Sequence, residues 1–574
     1  MTYTIEVNSK VIEARKGDTI LATLRRNGIK VPTLCSMKGL SPTGACRFCV
    51  VEVEGISNLV TSCSYPVEAG MRVSTHSPRV VRARKTLVEL LLSNHPDDCL
   101  YCQRNNSCEL QAIAADFNIR ERRISGRKSR HKLDLSSPCL IRDPSKCILC
   151  GRCVRVCEEI QMVNTFALVN RGSHTHIGTA MGRNLNFSNC IGCGQCVMMC
   201  PTAALHEQTS LDEVQDALNN SQLKVVVQYG PSITVSLAEE FGIKPGKDWN
   251  GVVVAALRKI GFDFIFDTSF GADVAIMETV SELTNRIQKG SDLPMVTSCC
   301  PAWVKYAEQS YPQLLPLLSS CKSPQQVMGA IIKTHLPGRL KIPSDSIHSV
   351  SIMPCLAKKF EAQRVEMTSK GISDVDTVLS TRELAKLIRL YGIDMNAIEP
   401  QQADVPFGTR SSAGKLFAIS GGTSEGVART LYHSITGKDL QLPKLNDLRA
   451  GGNVKEVVMR MGKQDIKFLL VNGMTGLQAV LASIEAGQYN AHFVEIMACP
   501  GGCVNGGGQP FGFDEREVKG RTKAIYDIDE TETNKLAHRN PAVVELYKQH
   551  LEAPGSPKAK KLLHTSFTKR NVVK

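Results

Sequence analysis

Five cysteines could do the most distinctive chemistry in this chain: Cys299, Cys300, Cys355, Cys499 and Cys503. They lie in three separated stretches, Thr297-Ser-Cys-Cys-Pro-Ala-Trp303, Met353-Pro-Cys-Leu-Ala-Lys-Lys359 and Glu495-Ile-Met-Ala-Cys-Pro-Gly-Gly-Cys503. Each stretch follows an apolar run that reads as a buried strand: Leu-Pro-Met-Val, Val-Ser-Ile-Met and Phe-Val-Glu-Ile-Met. Thiols from three distant segments would converge at strand ends, where α/β sheets place their ligands. Their spacing fits neither a zinc ribbon nor a disulfide ladder.

The other cysteines narrow the chemistry. The chain holds 22 cysteines in 574 residues. A content of 42% hydrophobic and 22% charged residues is that of a soluble globular protein, and the length calls for about two to four domains. No apolar stretch approaches the roughly 18 residues that span a membrane. The opening Met-Thr-Tyr-Thr-Ile-Glu-Val lacks a basic segment followed by a long apolar run, so a cytoplasmic location is expected. Reducing compartments do not keep disulfides, so regularly spaced thiols point to metal clusters. A lone cysteine is usually a small buried hydrophobe, but that reading fails for four or five regular groups.

Residues 1–78 alternate in a β-rich pattern around Cys35, Cys46, Cys49 and Cys63, spaced C-x10-C-x2-C-x13-C. Plant-type 2Fe–2S spacing begins C-x4-C-x2-C, so the first gap departs from it. His95, Cys99, Cys102 and Cys108 follow, offering three thiolates and one imidazole, a set that also suits zinc. Then come two runs of C-x2-C-x2-C-x3-C: Cys147, Cys150, Cys153, Cys157 and Cys190, Cys193, Cys196, Cys200. In two-cluster ferredoxins the fourth cysteine of each run serves the other cluster. The expected sets are Cys147, Cys150, Cys153 with Cys200, and Cys190, Cys193, Cys196 with Cys157. Glu158 stands where the pattern has proline, at a position that is not a ligand. A wire of this kind moves single electrons and has no substrate chemistry of its own.

The net charge of +14 would ordinarily suggest an anionic partner. Five bound clusters would remove about nine charges, so the balance is not read as nucleic-acid binding. The run Arg120 to Lys132 stays locally basic. It reads as a solvated linker or as a docking surface for an acidic redox partner.

After Leu205 the texture becomes α/β, with apolar runs alternating with amphipathic stretches such as Asp273 to Lys289. The motifs Thr-Ser-Cys-Cys-Pro-Ala-Trp, Met-Pro-Cys-x-x-Lys-Lys and Glu-x-Met-Ala-Cys-x-Gly-Gly-Cys-x-x-Gly-Gly-Gly-Gln-Pro resemble the three signatures of the iron-only (FeFe) hydrogenases. The resemblance covers nearly the whole chain. It extends to the modular clostridial-type enzymes and to the catalytic subunit of multimeric NAD(P)-linked hydrogenases, electron-bifurcating assemblies included. The long-gap 2Fe–2S module and the His-ligated 4Fe–4S module resemble those of the same enzymes and of complex I's large peripheral subunit.

The resemblance implies an α+β multidomain chain. It would comprise a β-grasp 2Fe–2S ferredoxin-like domain (1–78), a small 4Fe–4S domain ligated by one histidine and three cysteines (79–135) and a double 4Fe–4S ferredoxin domain (136–209). A large two-lobed α/β catalytic domain (210–540) and a basic C-terminal tail (541–574) would follow. It implies one 2Fe–2S cluster, three accessory 4Fe–4S clusters and an H-cluster. In the H-cluster a 4Fe–4S cubane held by Cys300, Cys355, Cys499 and Cys503 is linked to a diiron site bearing carbon monoxide, cyanide and a bridging azadithiolate. Pro301 suits the first position of a helix whose free N–H groups favour anionic sulfur. Lys358 and the Pro231/Ser232 segment match donors to the cyanides, which need partners in a dry pocket. Gln325, Met353, Phe417 and Met497 match other lining positions, and core packing explains the last three equally. The run Gly506 to Gly508 lacks a phosphate-loop context and reads as close backbone approach to the cluster.

By the same resemblance Cys299 is a proton carrier rather than a ligand; a free thiol with a pKa near 8.5 can pass protons. Glu282, Arg286 and Ser319 match further relay positions. Glu278, Glu282 and Arg286 would share one helix face, which on residue grounds reads as a solvated charged face. Thr279 stands where the family carries a second glutamate, so a water or Glu278 must complete the path, or turnover is slower. Gly230 and Thr268 also depart from the family pattern. Cys139 and Cys321 read as buried structural thiols.

The resulting expectation is a hydrogenase catalysing 2H⁺ + 2e⁻ ⇌ H₂. Electrons would come from ferredoxin, from flavin- and NAD(P)-binding partner subunits, or from both, with no nucleic acid or membrane partner. Rival readings are a non-catalytic iron–sulfur assembly factor, a redox-wire subunit of a dehydrogenase and a hydrogen sensor. Cys299 and Lys358 count against the first, the four catalytic-end cysteines against the second, and the lack of a signalling module against the third.

Overall fold

The computed structural model describes residues 2–121, 123–369, 371–441, 446–449, 451–488, 490–512 and 515–572. Period-2 alternation pairs Thr2–Val7 with Lys10–Arg15 in antiparallel register, Ile5 opposite Ile12. The sheet runs in the order Lys10–Arg15, Thr2–Val7, Arg72–Ser74, Val50–Val53, Val60–Thr61. Helix Ile20–Arg26 closes its core with Ile20, Leu21 and Leu24. Helix Pro78–Asn94 then leads to the His95 segment.

The basic run does not hang free. The Arg123 guanidinium makes two hydrogen bonds of 2.7 Å to Glu89, and Lys128 donates to the carbonyls of Leu92 and His95 at 2.8 and 2.5 Å. Arg122 lies outside the described residues.

Two sheets build the large unit. One is all parallel, in the order Phe264–Asp267, Lys224–Tyr229, Ile347–Ile352, Thr377–Leu379. The other runs Met295–Val296, Phe493–Met497, Gln464–Asn472, Val454–Met461, with only the last pair antiparallel. Both faces are covered, so Val225 to Tyr229 and Phe493 to Met497 are buried at every position. The long helix Thr268–Lys289 is buried on all sides through its first half.

Residues 541–572 differ from the tail that lysine content suggested. Val543, Leu546, Tyr547, Leu551, Ala559 and Leu563 join the core around helices Thr268–Lys289 and Pro324–Thr334. Lys558, Lys560 and Lys561 sit between those apolar positions, which local composition hid.

A buried ion cluster ties the helix Gly422–Thr436 to the helix Glu515–Thr531. Arg429 donates to both oxygens of Asp529 at 2.9 Å, and Arg449 and Ser412 also reach it. Burial opposes ionisation of Asp529, but the Arg429 hydrogen bonds and charge outweigh it and lower its pKa to about 2. A depressed carboxylate contributes stability above its unfolded pKa of about 4, lost as pH falls through the folded value. Asp529→Asn is therefore expected to cost about 3–5 kcal/mol at neutral pH, since it leaves buried Arg429 short of its partner. The gap between variant and wild-type denaturation midpoints should close as pH drops from about 4 towards about 2.

Candidate active site

The site lies at the carboxyl ends of strands from both sheets. Lys224–Tyr229 delivers Pro231 and Ser232, Phe264–Asp267 delivers Thr268, and Ile347–Ile352 delivers Met353 and Cys355. From the second sheet, Met295–Val296 delivers Cys299 and Cys300, while Phe493–Met497 ends on Met497 before Cys499. Cys300 is the N-cap of helix Pro301–Ser310, with proline in the first turn. Between Cys499 and Cys503 the chain reverses through Gly501 (φ +85°) and Gly502 (φ +90°), left-handed conformations that side chains resist.

These ends enclose a cavity of about 80 Å³. Cys300, Cys355, Cys499 and Cys503 line it, as do Cys299, Pro231, Ser232, Gln325, Met353, Lys358, Phe417 and Met497. Burial first, then the neighbouring cysteines, pushes the Cys499 and Cys503 thiols well above their ordinary value and Cys355 to about 12. Those three thiols resist ionising by themselves in this apolar chamber. They suit a cationic metal centre that would compensate their charge.

Lys358 is the cation on this wall. Its ammonium donates to Ser323 Oγ at 2.7 Å, Glu361 at 2.8 Å and the Cys299 carbonyl at 3.2 Å. Burial works to lower its pKa, but Glu361 prevails and holds it raised. Gln325 bridges the Lys358 carbonyl and Glu361 at 3.3 and 3.1 Å and accepts from Ser351. Gly230 fits here because space is short: a Cβ would stand 3.1 Å from Met353 Sδ. Thr268 turns its hydroxyl to Gln228 at 3.0 Å.

Behind the main cavity lies a second one of about 20 Å³, lined by Cys299, Thr279, Ser319, Cys321 and Thr423 among others. That is room for one water. Ser319 Oγ donates to Glu282 at 2.7 Å, and Arg286 donates to the other Glu282 oxygen at 2.7 Å. Glu278 faces away from this cavity, towards Tyr547, Gly555 and His564. The alternative in which Glu278 replaces the missing glutamate therefore fails on geometry, and space for a water remains. Burial pushes the Cys299 thiol up to about 12, far from the free-thiol value. Cys299 Sγ lies 4.0 Å from Thr423 Oγ1. Thr423, which sequence reasoning missed, is held by the buried Glu495 carboxylate accepting the N–H groups of Gly421 and Ser424 at 2.7 Å each. Glu361 and His564 were also missed; neither belongs to a spaced motif.

The accessory cysteines gather in groups. Cys35 is within hydrogen-bonding reach of Cys46 and Cys63, and Cys63 of Cys49. Cys147, Cys150, Cys153 and Cys200 line one cavity, and Cys157, Cys190, Cys193 and Cys196 line another. Cys46, Cys108 and Ile148 share a small apolar core that joins three of these regions. His95 Nδ1 is buried without a hydrogen-bond partner, and burial lowers the ring's pKa to about 4, leaving a neutral imidazole. Cys102 and Cys108 are electrostatic neighbours, while Cys99 is exposed.

Contact with the catalytic cavity comes through Cys193, which also lines it, and through Gln195, which donates to Cys499 Sγ at 3.4 Å. The glycine run allows this approach: a Cβ on Gly507 would stand 2.3 Å from the Cys193 carbonyl. A Cβ on Gly506 or Gly508 would stand 2.2 or 3.0 Å from the Pro354 backbone. Cys139 is buried against Gly192, and Cys321 faces the small cavity.

Known families match this chain segment by segment. A 2Fe-2S iron-sulfur cluster binding domain matches residues 1–78, and an NADH-ubiquinone oxidoreductase-G iron-sulfur binding region matches 84–123. A 4Fe-4S dicluster domain matches 144–204, and the iron only hydrogenase large subunit, C-terminal domain matches 223–507. The iron hydrogenase small subunit matches 515–570, the region that folds back on the core. The NADP-reducing hydrogenase subunit HndD of Solidesulfovibrio fructosivorans is 41% identical over 99% of this chain and 99% of its own. This chain belongs to the iron-only hydrogenase family. Iron hydrogenase 1 of Clostridium pasteurianum is 36% identical, covering 99% of this chain and all of its own. The solved apo [FeFe]-hydrogenase HydA1 of Chlamydomonas reinhardtii superposes with a TM-score of 0.56 at 34% identity, covering 62% of this chain and 98% of that one. The chain is thus an oxidoreductase acting on H₂, with 2Fe–2S and 4Fe–4S accessory domains and an H-cluster catalytic domain. Among the described residues no helix is long and apolar enough to cross a membrane.

Proposed function

We propose that this iron-only hydrogenase interconverts protons and H₂ with electrons carried along four accessory clusters. The reading rests on one observation above all: four thiols from both sheets line a single chamber that also touches Cys193 of the nearest accessory group. Cys35, Cys46, Cys49 and Cys63 would hold a 2Fe–2S cluster. His95, Cys99, Cys102 and Cys108 would hold a 4Fe–4S cluster, and the two crosswise groups of the dicluster domain one each. Cys300, Cys355, Cys499 and Cys503 would hold the cubane of the H-cluster, with Cys503 shared with its diiron part. When bound, that centre supplies the metal at which two electrons and two protons meet.

The protein's own part is positioning and proton supply. Lys358, kept charged by Glu361, sets a positive charge beside Cys299, where anionic ligands of the centre would lie. Gln325 holds Lys358 and Glu361 in place, and Ser232 accepts from Gln509 at 3.2 Å. Met353, Phe417 and Met497 exclude water from the chamber. Glu282, Ser319, one water in the small cavity and Cys299 form the proton path, with Arg286 orienting Glu282. Because Cys299 keeps its proton at neutral pH, transfer is a concerted hand-off between neutral donors, with no free thiolate.

Full-length similarity to a subunit of an NADP-reducing hydrogenase supports flavin- and NAD(P)-handling partner subunits, alone or alongside ferredoxin. Anaerobic H₂ assays with reduced ferredoxin, with NADPH or NADH plus co-purified subunits, and with both are expected to show activity in at least one arm. Matured protein should also carry infrared bands of metal-bound carbon monoxide and cyanide. Absence of both activity and bands would overturn the reading.

A further inference from the structure

One buried hydrogen-bonded circuit is left unused by the path above. Glu278, wholly buried on the helix Thr268–Lys289, accepts the Tyr547 hydroxyl at 2.6 Å on one oxygen. Its other oxygen accepts the Gly555 N–H at 3.0 Å and lies 2.9 Å from His564 Nε2. On the far side of the ring, His564 Nδ1 lies 2.7 Å from Ser320 Oγ. Ser320 Oγ lies 3.2 Å from Glu282 Oε1. The circuit therefore ends on the carboxylate that Ser319 and Arg286 already share. The His564 side chain is 9% exposed, against none for Glu278, so the ring stands at the edge of solvent.

We infer that His564, carried by the C-terminal segment, is a second port for protons that hands them to Glu282 through Ser320. This rests on the hydrogenase reading. The Glu278 carboxylate only accepts, so the neutral ring keeps its hydrogen on Nε2 and offers the Nδ1 lone pair to Ser320. The Ser320 hydroxyl has one hydrogen and two acceptors, His564 Nδ1 and Glu282. While His564 is neutral, that hydrogen points to the ring. A proton arriving from solvent on Nδ1 reverses the bond. The Nδ1–H then donates to Ser320 Oγ, and the Ser320 hydrogen turns to Glu282 Oε1. Transfer breaks the Nδ1–H bond and the old Ser320 O–H bond and forms a new Ser320 O–H and a Glu282 O–H. One proton moves from imidazolium to carboxylate, and no electron does.

The groups facing His564 are few. Glu278 and Tyr547 lie on one side and Ser320 on the other, with Glu282 and Arg286 beyond it. Cys321 pairs with His564 along the backbone, and burial holds its thiol protonated. Lys560 and Lys561, on the helix Pro557–Leu563 that His564 ends, are exposed. His564 is thus a positioning and relay group rather than a catalytic residue.

His564→Gln preserves a donor and an acceptor in place of the ring but cannot titrate. Ser320→Ala leaves the Glu278–His564 contact intact while cutting the hand-off. Both should lose about tenfold in H₂ evolution, with the limb of the pH profile set by a histidine flattened. His564→Ala should recover activity with added imidazole. Independently of turnover, the infrared carboxylic-acid band that vanishes in Glu282→Gln should shift its pH midpoint in Ser320→Ala. Unchanged pH profiles in both variants, no imidazole rescue and an unmoved Glu282 band would overturn the port. An inactive wild type would instead sink the hydrogenase reading, and the Glu282 band would still report on the port.

Discussion

Cys299→Ala is expected to lower H₂ evolution by about 10²- to 10⁴-fold, the range for removing a positioned proton-transfer group. Iron content and the infrared bands of the H-cluster should stay as in the wild type. The geometry makes this effect large. Cys299, Pro324 and Phe417 line both the 80 Å³ chamber and the 20 Å³ cavity behind it, and of these three only Cys299 carries a dissociable proton. Alanine would leave an apolar wall between the water position and the chamber. Since burial holds the thiol near 12, wild-type turnover between about pH 6 and 8 should show no limb that belongs to a thiolate. A variant that keeps more than about half the wild-type rate would show that protons enter elsewhere.

Cys503→Ala should abolish activity and the carbon monoxide and cyanide bands together. It should leave the electron paramagnetic resonance signals of the accessory clusters in place. Cys503 is half-buried and shares one chamber with Cys300, Cys355 and Cys499, and its position follows the Gly501–Gly502 reversal, whose left-handed conformations other residues adopt only with strain. Cys46 and Cys108 pack on a core that holds none of the four catalytic-end cysteines, so loss of the catalytic centre need not disturb those groups, whereas Cys193 lines the chamber itself. Loss of every cluster signal in this variant would instead indicate global misfolding.

Most of the electron path is legible in the residues alone. Regular short spacings such as Cys190, Cys193, Cys196 encode a local loop, and loop and ligand set are then nearly the same information. The three catalytic motifs are equally legible, because each follows a short strand whose apolar residues mark it as buried. Much less of the proton path can be read. Glu278 and Glu282 look alike in sequence, four residues apart on one helix, yet one turns to His564 and the other to Ser319. The basic C-terminal stretch misleads for a related reason. Lysines between the apolar positions dominate its composition, while Leu551, Ala559 and Leu563 decide that it packs.

The sequence by itself determined which residues are candidate metal ligands and how they group along the chain, since ligand type and local spacing are properties of the chain. Tertiary structure alone decided which side chains the proposed proton path can join. A hydrogen bond at 2.7 Å between Ser320 and His564 joins residues 244 positions apart, and a thiol pushed to about 12 depends on what covers it. Both follow from burial and long-range packing, which residue type does not reveal.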